Sequence, residues 1–423
     1  MADARAAVEA VWRIEAPRLI GGLVRFTRDL DCAEDLAQDA LVIALEKWPA
    51  TGIPDNPGAW LMTAAKNRAV DAARRRSMID VKHSEIAKTS PAWTAPDTSA
   101  LDDAVAVDDD VLRLMLVACH PVLSKESRVA LTLRLIAGLS TAEIARAFLS
   151  AETTMAQRIV RAKRTIAEAR VPFEVPAGEE LHARIPSILE VVYLIFNEGY
   201  AATHGDDWIR PALCEEAMRL GRVLAGLVPG EAEVHGLLAL MELQASRLKA
   251  RTGADGEPVL LADQARGLWD RMLITRGLAA LTRAEALTRP LGPYTLQAAI
   301  AACHARAGTP DATDWPRIVA LYDALVEVTG SPVVELNRAV AVSMADGPAA
   351  ALPLVEALAA SGALQGYHWL PSTHGDLLFR LGRLSEARVQ FEEAAAQATN
   401  ARERAILTAR ALRCVDTGSG RSH

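Results

Sequence analysis

The helical rhythm of this chain breaks at two places, and those breaks limit what it can fold into. Between Met78 and Asp110 the periodicity lapses. Pro91, Thr94, Pro96, Thr98 and Ser99 interrupt it, and Asp97, Asp102, Asp103, Asp108, Asp109 and Asp110 make the stretch acidic. Such sequence buries too little apolar surface to offset chain entropy, so it reads as a flexible linker. Pro172 and Pro176 mark the second boundary. On either side the apolar residues recur at helical spacing. The 423 residues are 51% hydrophobic but only 4% aromatic, with Ala and Leu dominant. Ala and Leu form helices well, whereas sheets draw on aromatic and β-branched side chains. An all-α fold is therefore expected. It comprises two small helical domains at 1–80 and 109–172, an acidic linker at 81–108, and a helical-repeat domain at 178–415.

The first domain is helical from Ala4 to about Ala50. Asp31 is placed to cap a helix, with Glu34 at capping-box spacing. Leu36, Ala40 and Ile43 step along one face with the aliphatic stem of Lys47. Glu34, Asp35, Gln38 and Asp39 lie on the remaining face. After a break from Pro49 to Pro57, Asn56 caps a new helix that Pro57 opens and that runs to Arg76. Helical pattern resumes at Val111 and continues to about Arg170, punctuated at Pro121, Gly138 and Ser150.

Beyond Pro176 helices are expected over 181–198, 211–226, 232–251 and 260–276. From Pro293 they pair: 294–307 with 315–328, 332–344 with 349–359, and 367–381 with 385–398. Ala307-Gly308, Asp346-Gly347 and Leu381-Gly382-Arg383 recur at roughly 35–40 residues, close to the tetratricopeptide period. Leu377, Leu381-Gly382, Ala387 and Phe391 fit that repeat best, and the earlier pairs are degenerate.

Two segments carry chemistry. In the 57–76 helix, Lys66, Arg68, Arg74, Arg75 and Arg76 form a basic cluster whose arginine forks match phosphate oxygens. Asn67 and Asp71 are four apart on one face and carry groups that read base edges. Trp60 suits stacking on an unpaired base or packing in the core. The bland alternative is a helix whose last turn carries cations against its dipole. In the second segment, Ser140 and Glu143 make a capping box before Ile144, Ala145 and Phe148. The break at Leu149-Ser150-Ala151-Glu152 is short enough for a helix-turn-helix corner. The next helix offers Thr153, Thr154 and Gln157 for base edges, then Arg158, Arg161, Lys163 and Arg164 for phosphates. Met155, Ile159, Val160 and Ala162 are available to pack. An amphipathic helix with a solvated basic face is the alternative here.

In this order the segments resemble a bacterial extracytoplasmic-function sigma factor. Ala33-Glu34-Asp35-Leu36-Ala37-Gln38-Asp39 resembles the part that grips the largest RNA polymerase subunit. Asn67-Arg68-x-x-Asp71-x-x-Arg74-Arg75 resembles the helix that opens the minus-ten promoter element. Gly138-Leu139-Ser140-x-x-Glu143-Ile144-Ala145 with Gln157-Arg158-x-x-Arg161-Ala162 resembles the reader of the minus-thirty-five element. The turn from Phe148 to Thr154 is one residue longer than in the commonest members, and Thr153 stands where many have glycine. The C-terminal half resembles the tetratricopeptide-like extension of one subgroup, most clearly in Leu194-Ile195-Phe196-Asn197-Glu198-Gly199-Tyr200, Leu213-Cys214-Glu215-Glu216-Ala217 and the run from Gly292 to Ala302. The resemblance implies promoter-specific initiation with core RNA polymerase and promoter DNA as partners, and an extension that influences activity. It implies polymerase docking by Glu34, Asp35, Gln38 and Asp39. It implies minus-ten contacts by Trp60, Lys66, Asn67, Arg68, Asp71, Arg74, Arg75 and Arg76. It implies minus-thirty-five contacts by Thr153, Thr154, Gln157, Arg158, Arg161 and Arg164.

Composition narrows the alternatives. The net charge is −7, so any nucleic-acid contact must come from local basic patches. Cys32, Cys119, Cys214, Cys303 and Cys414 are scattered, with no C-x-x-C pair and no His pair at zinc spacing. Reduced thiols are expected, with no disulfide framework and no metal or other cofactor. No apolar run approaches the roughly twenty residues that span a bilayer. The start Met1-Ala2-Asp3-Ala4-Arg5 lacks secretory character, so a cytoplasmic protein is expected. A helix-turn-helix regulator acting without polymerase, with the repeats as sensor, remains the rival. Tyr200, His204, Asp206, Asp207 and Trp208 form the most polar patch of the C-terminal half, and Arg247, Asp263, Arg266 and Trp269 read as an inter-helix ion-pair cluster. Neither offers a nucleophile–base pair or a phosphate loop, so no enzyme is expected. The repeats remain open to a protein or peptide partner, or to covering the preceding domains.

Overall fold

The computed structural model describes residues 2–83, 104–148, 150–200, 209–253, 259–398 and 401–416. Its regular elements are helices, arranged in two compact units, 1–227 and 228–423. The first holds α1 (Ala2–Thr27), α2 (Leu30–Thr51), α3 (Pro57–His83), α4 (Ala104–Ala118), α5 (Lys125–Leu135), α6 (Thr141–Ala147), α7 (Glu152–Glu168), α8 (Glu179–Tyr200) and α9 (Pro211–Leu227).

Helices α1, α2 and α3 pack around Leu19, Ile20, Leu23, Leu36, Ala40 and Leu61. The cap of α2 is Asp29, whose side chain accepts from the Cys32 amide at 2.9 Å, two residues before the expected Asp31. Arg28 adopts φ 54°, which turns the chain there and starts the helix at Leu30. Asp31 then falls in the first turn, where its charge suits the dipole. Pro49 lies inside the last turn of α2, which runs to Thr51 and ends at Gly52 with φ 82°. Asn56 caps α3 as expected, accepting from the Ala59 amide at 3.1 Å. Helix α3 continues to His83 and α4 begins at Ala104, both within the stretch read as linker. The rest of that stretch, 84–103, lies outside the described residues.

Ser140 and Glu143 form the expected capping box at the start of α6. In α7 Met155, Ile159, Ala162 and Ile166 are buried at helical spacing. Val160, expected to pack, is instead 62% exposed, because it sits one position beyond that buried stripe.

Helices α8 and α9 hold the ends of their predecessors. Arg184 donates to the Leu116 carbonyl at 3.0 Å and the Ser187 hydroxyl to the Cys119 carbonyl at 2.6 Å. Arg219 donates to the Ile136 carbonyl at 2.9 Å, and Arg210 donates to the Ala147 carbonyl and pairs with Glu198. These acceptors lie at the C-termini of α4, α5 and α6, where unsatisfied carbonyls favour cationic donors. Arg128 and Lys125 of α5 return the contact by pairing with Glu190 at 3.1 and 2.5 Å.

The second unit holds α10 (Ala232–Ala245), α11 (Arg271–Leu287), α12 (Pro293–Arg306), α13 (Trp315–Thr329), α14 (Pro332–Ala345), α15 (Pro348–Ser361), α16 (Trp369–Arg380), α17 (Leu384–Gln397) and α18 (Ala401–Asp416). Helix α10 is buried on nearly all sides against α11 and α12. Glu233 caps α12 from α10, accepting from the Tyr294 amide at 2.7 Å and the Thr295 amide at 3.1 Å. Gly236 permits that approach, since a Cβ there would lie 2.3 Å from Thr295 Oγ1. Gly236→Ala should destabilise this unit by about 1–3 kcal/mol, read as a lower urea midpoint.

The helix expected over 260–276 begins only at Arg271. Two short 3-10 turns, Leu261–Asp263 and Arg266–Leu268, precede α11, which Asp270 caps by accepting from the Met272 and Leu273 amides. Buried Trp269 fixes this irregular stretch. Arg266 and Arg247 stack on its indole at 4.7 and 5.9 Å, and Arg266 also donates to the His304 and Ala307 carbonyls. What joins Arg247 and Arg266 of the expected ion-pair cluster is thus the Trp269 ring. Likewise α10 stops at Ala245, short of the expected 251. From α12 to α18 each helix packs on the next, and Leu336, Val355, Leu377, Phe391 and Leu407 share one core.

Candidate nucleic-acid interface

Helices α2 and α3 form the walls of a cleft of about 520 Å³ lined by Ile43, Lys47, Trp60, Thr63, Asn67 and Arg68. Trp60 is half-buried and meets Trp48 edge-on, ring centroids 5.2 Å apart, so it both packs and presents a ring edge to the cleft. Asn67 is exposed one to two turns further along, with Lys66 and Arg68 half-buried beside it. Arg68 lies 3.9 Å from Asp39 of α2. An aromatic wall with an amide and a guanidinium about two turns along the same helix suits an unstacked base and its phosphate. Asp71, Arg74, Arg75 and Arg76 continue α3, but their side chains lie outside the described residues.

On α7, Thr153, Thr154, Gln157, Arg161 and Arg164 are exposed and Arg158 is half-buried. Arg164 pairs with Glu168 at 2.7 Å. Arg158 borders an apolar cavity of about 210 Å³ with Phe148, Met155 and Leu194. Exposed Val160 lies between Gln157 and Arg161, one position off the buried stripe of Met155, Ile159, Ala162 and Ile166, whose helical spacing could have flagged it.

The acidic face of α2 divides. Asp35 and Asp39 are exposed and Gln38 is half-buried. Glu34, expected on the open face, is 5% exposed. It accepts from Arg134 at 2.6 Å and from Gln38 at 2.8 Å, and pairs with Lys163 at 2.9 Å. Lys163 also pairs with Asp31 at 2.5 Å, so this side chain, read as phosphate-facing, points at α2. Burial alone would raise the Glu34 carboxyl, but Arg134 and Lys163 outweigh it and hold it below the ordinary glutamate value. Burial likewise opposes the charged form of Lys163, and Asp31 and Glu34 reverse that to raise its amine. Asp35 is pushed up by desolvation and by the charges of Glu34, Asp31 and Asp39, against the pull of Lys163.

Other pairs join the same two segments. Arg13 meets Glu143 at 3.2 Å, and Arg25 meets buried Asp110 at 3.6 Å. Gly21 lets α1 approach Asp110 closely, since a Cβ there would lie 2.9 Å from the Asp110 carbonyl oxygen.

Among the described residues no cluster of three or more His, Cys, Asp or Glu gathers to hold a metal, and no helix is long and apolar enough to cross a membrane. None of the five cysteines is joined in a disulfide. In the polar patch of the C-terminal half, His204, Asp206, Asp207 and Trp208 lie outside the described residues.

Comparison with known proteins matches these segments separately. The model of Sigma-70 region 2 matches residues 12–78, and that of Sigma-70, region 4 matches 113–166. A family of unknown function, DUF6596, matches 184–285. The uncharacterized protein R00370 of Rhizobium meliloti is 45% identical over 92% of both chains. RNA polymerase sigma factor CarQ of Myxococcus xanthus is 34% identical over 33% of this chain and 76% of its own length. ECF RNA polymerase sigma factor SigL of Mycobacterium tuberculosis is 31% identical over 34% of this chain and 77% of its own. No solved structure matches.

Proposed function

The chain belongs to the extracytoplasmic-function RNA polymerase sigma factors, and from that footing we propose that it binds core RNA polymerase and directs initiation at specific promoters. The observation that carries this reading is the Trp60–Asn67–Arg68 cleft, one wall of which is α2, the helix that also carries the exposed carboxylates Asp35 and Asp39. Asp35, Gln38 and Asp39 dock on a basic polymerase surface, with Glu34 joining them once it is released. Trp60, Lys66, Asn67, Arg68 and Asp71 hold separated minus-ten strands, and Arg74, Arg75 and Arg76 grip their phosphates. Helices α6 and α7 act as a helix-turn-helix. Its Thr153, Thr154 and Gln157 face base edges of the minus-thirty-five element, with Arg158, Arg161 and Arg164 toward the backbone. Residues 178–415 form a tetratricopeptide-like extension that modulates activity through a protein or peptide partner, its first helices α8 and α9 packing in the same compact unit as the preceding block. The protein makes and breaks no covalent bonds and works in the cytoplasm.

Asp35→Arg tests the docking role. It should weaken binding to core polymerase at least about tenfold, ~1.4 kcal/mol, while leaving the melting temperature within a few degrees. Unchanged affinity in a fluorescence-anisotropy titration would remove Asp35 from the docking surface.

A further inference from the structure

We propose that the contact between α2 and the second helical block is an autoinhibitory clasp, in which Arg134 and Lys163 occupy the acidic face that polymerase must grip. This inference rests on the sigma-factor reading above. Glu34 and Asp31 face two partners of the same chemistry. One is cationic polymerase surface; the other is the chain's own α5 and α7. In the free protein the second partner is in place. Arg134 Nε lies 2.6 Å from Glu34, and Lys163 Nζ lies 2.9 Å from Glu34 and 2.5 Å from Asp31. The Arg13–Glu143 and Arg25–Asp110 pairs hold the flanks.

Geometry makes the contact incompatible with promoter recognition. The two elements are named for positions about 25 base pairs apart, roughly 85 Å of duplex at about 3.4 Å per pair. With Lys163 seated on Asp31, the path from Gln157 along α7, down α2 and across to the α3 cleft comes to roughly 50 Å at helical rise. The clasped protein therefore cannot lay α3 and α7 on both elements at once. Opening separates the two blocks and frees Glu34, which then adds a carboxylate to the docking face. Docking and promoter reading are coupled by the same event.

The energetics suit a switch. Buried ion pairs sit near break-even, because desolvation offsets most of their mutual attraction. A competing cationic surface of better fit can displace them without opposing a large net stability. A single-sided loss is different: it leaves a buried charge uncompensated and favours the open form.

Carbodiimide coupling of the full-length wild-type protein reads the clasp directly, since it joins only an amine and a carboxylate already in contact. Mass spectrometry should find Lys163 linked to Asp31 or Glu34 in the free protein, and at least about fivefold less link in the complex with core polymerase. Arg134→Glu in the full chain should bind core at least about tenfold more tightly than wild type, and Arg134→Lys should match wild type. The clasp is refuted if the link is missing from free protein, or if its yield is unchanged in the polymerase complex. A folded Arg134→Glu that binds no more tightly refutes it as well. If Arg134→Glu does not fold, the wild-type cross-link decides alone. Failure of wild-type protein to bind core at all would count against the sigma-factor reading itself, a result distinct from binding with the link retained.

Discussion

Ending the chain after residue 175 will unfold the second helical block, whereas ending it after 227 will not. Residues 1–227 form one compact unit, and α8 and α9 supply donors to the C-terminal carbonyls of α4, α5 and α6 through Arg184, Ser187, Arg210 and Arg219. A carbonyl stripped of its partner while still buried costs about 1–3 kcal/mol. Ile185, Ile188, Leu189, Val192 and Ile195 leave with α8, each worth roughly 1.5–3 kcal/mol of buried apolar surface. Arg128, itself buried, loses Ser187 and Glu190. The gross loss is comparable with the typical stability of a small domain, about 5–15 kcal/mol. Circular dichroism melts should show residues 1–227 unfolding cooperatively and 1–175 retaining only the α1–α3 transition. Equal melting temperatures for both fragments would contradict the packing described. This result also governs functional truncation: a fragment ending near 175 tests the integrity of the reader, and only one ending near 227 tests the repeats.

Changing Arg74, Arg75 and Arg76 together to Ala will abolish promoter opening and spare polymerase binding. These residues lie on α3 some fourteen to sixteen positions beyond Trp60, roughly 21–24 Å along the helix. With a base in the cleft as proposed, that distance along the helix reaches backbone several nucleotides away. Each guanidinium that neutralises a phosphate releases a counterion, so the triple change should lower the salt slope of promoter binding by about 2–3. Charge-assisted contacts of this kind are worth about 1.5–3 kcal/mol each, so open complexes should fall by at least about a hundredfold. Permanganate reactivity of minus-ten thymines measures them. Reactivity at the wild-type level would show that this basic stretch of α3 does not grip promoter phosphates.

Local signals were readable where the partner lies within a few residues. Ser140 and Glu143 announce α6, Asn56 and Pro57 announce α3, and the small residues and glycines from Pro293 onward announce the later helix pairs. Long-range partners were not. Glu34 reads as one carboxylate of an exposed face because its burial depends on Arg134 and Lys163, far away in sequence, the nearer of them separated by 100 positions. Nothing local to Arg184, Arg210 or Arg219 announces their role, because the carbonyls that receive them belong to other helices. The start of α11 was misplaced because the apolar spacing over 260–276 mimics a helix, while Asp270, which caps the real one, carries the better signal. Helix α18 went unread although Leu407, Ala411 and Cys414 repeat at helical spacing and are buried.

Run-off transcription tests the central claim most directly. Full-length protein, core RNA polymerase and genomic promoter fragments should together yield transcripts from fixed start sites that neither protein makes alone. No transcript, alongside tight duplex binding without polymerase, would contradict the account and point to a regulator that reads DNA by itself.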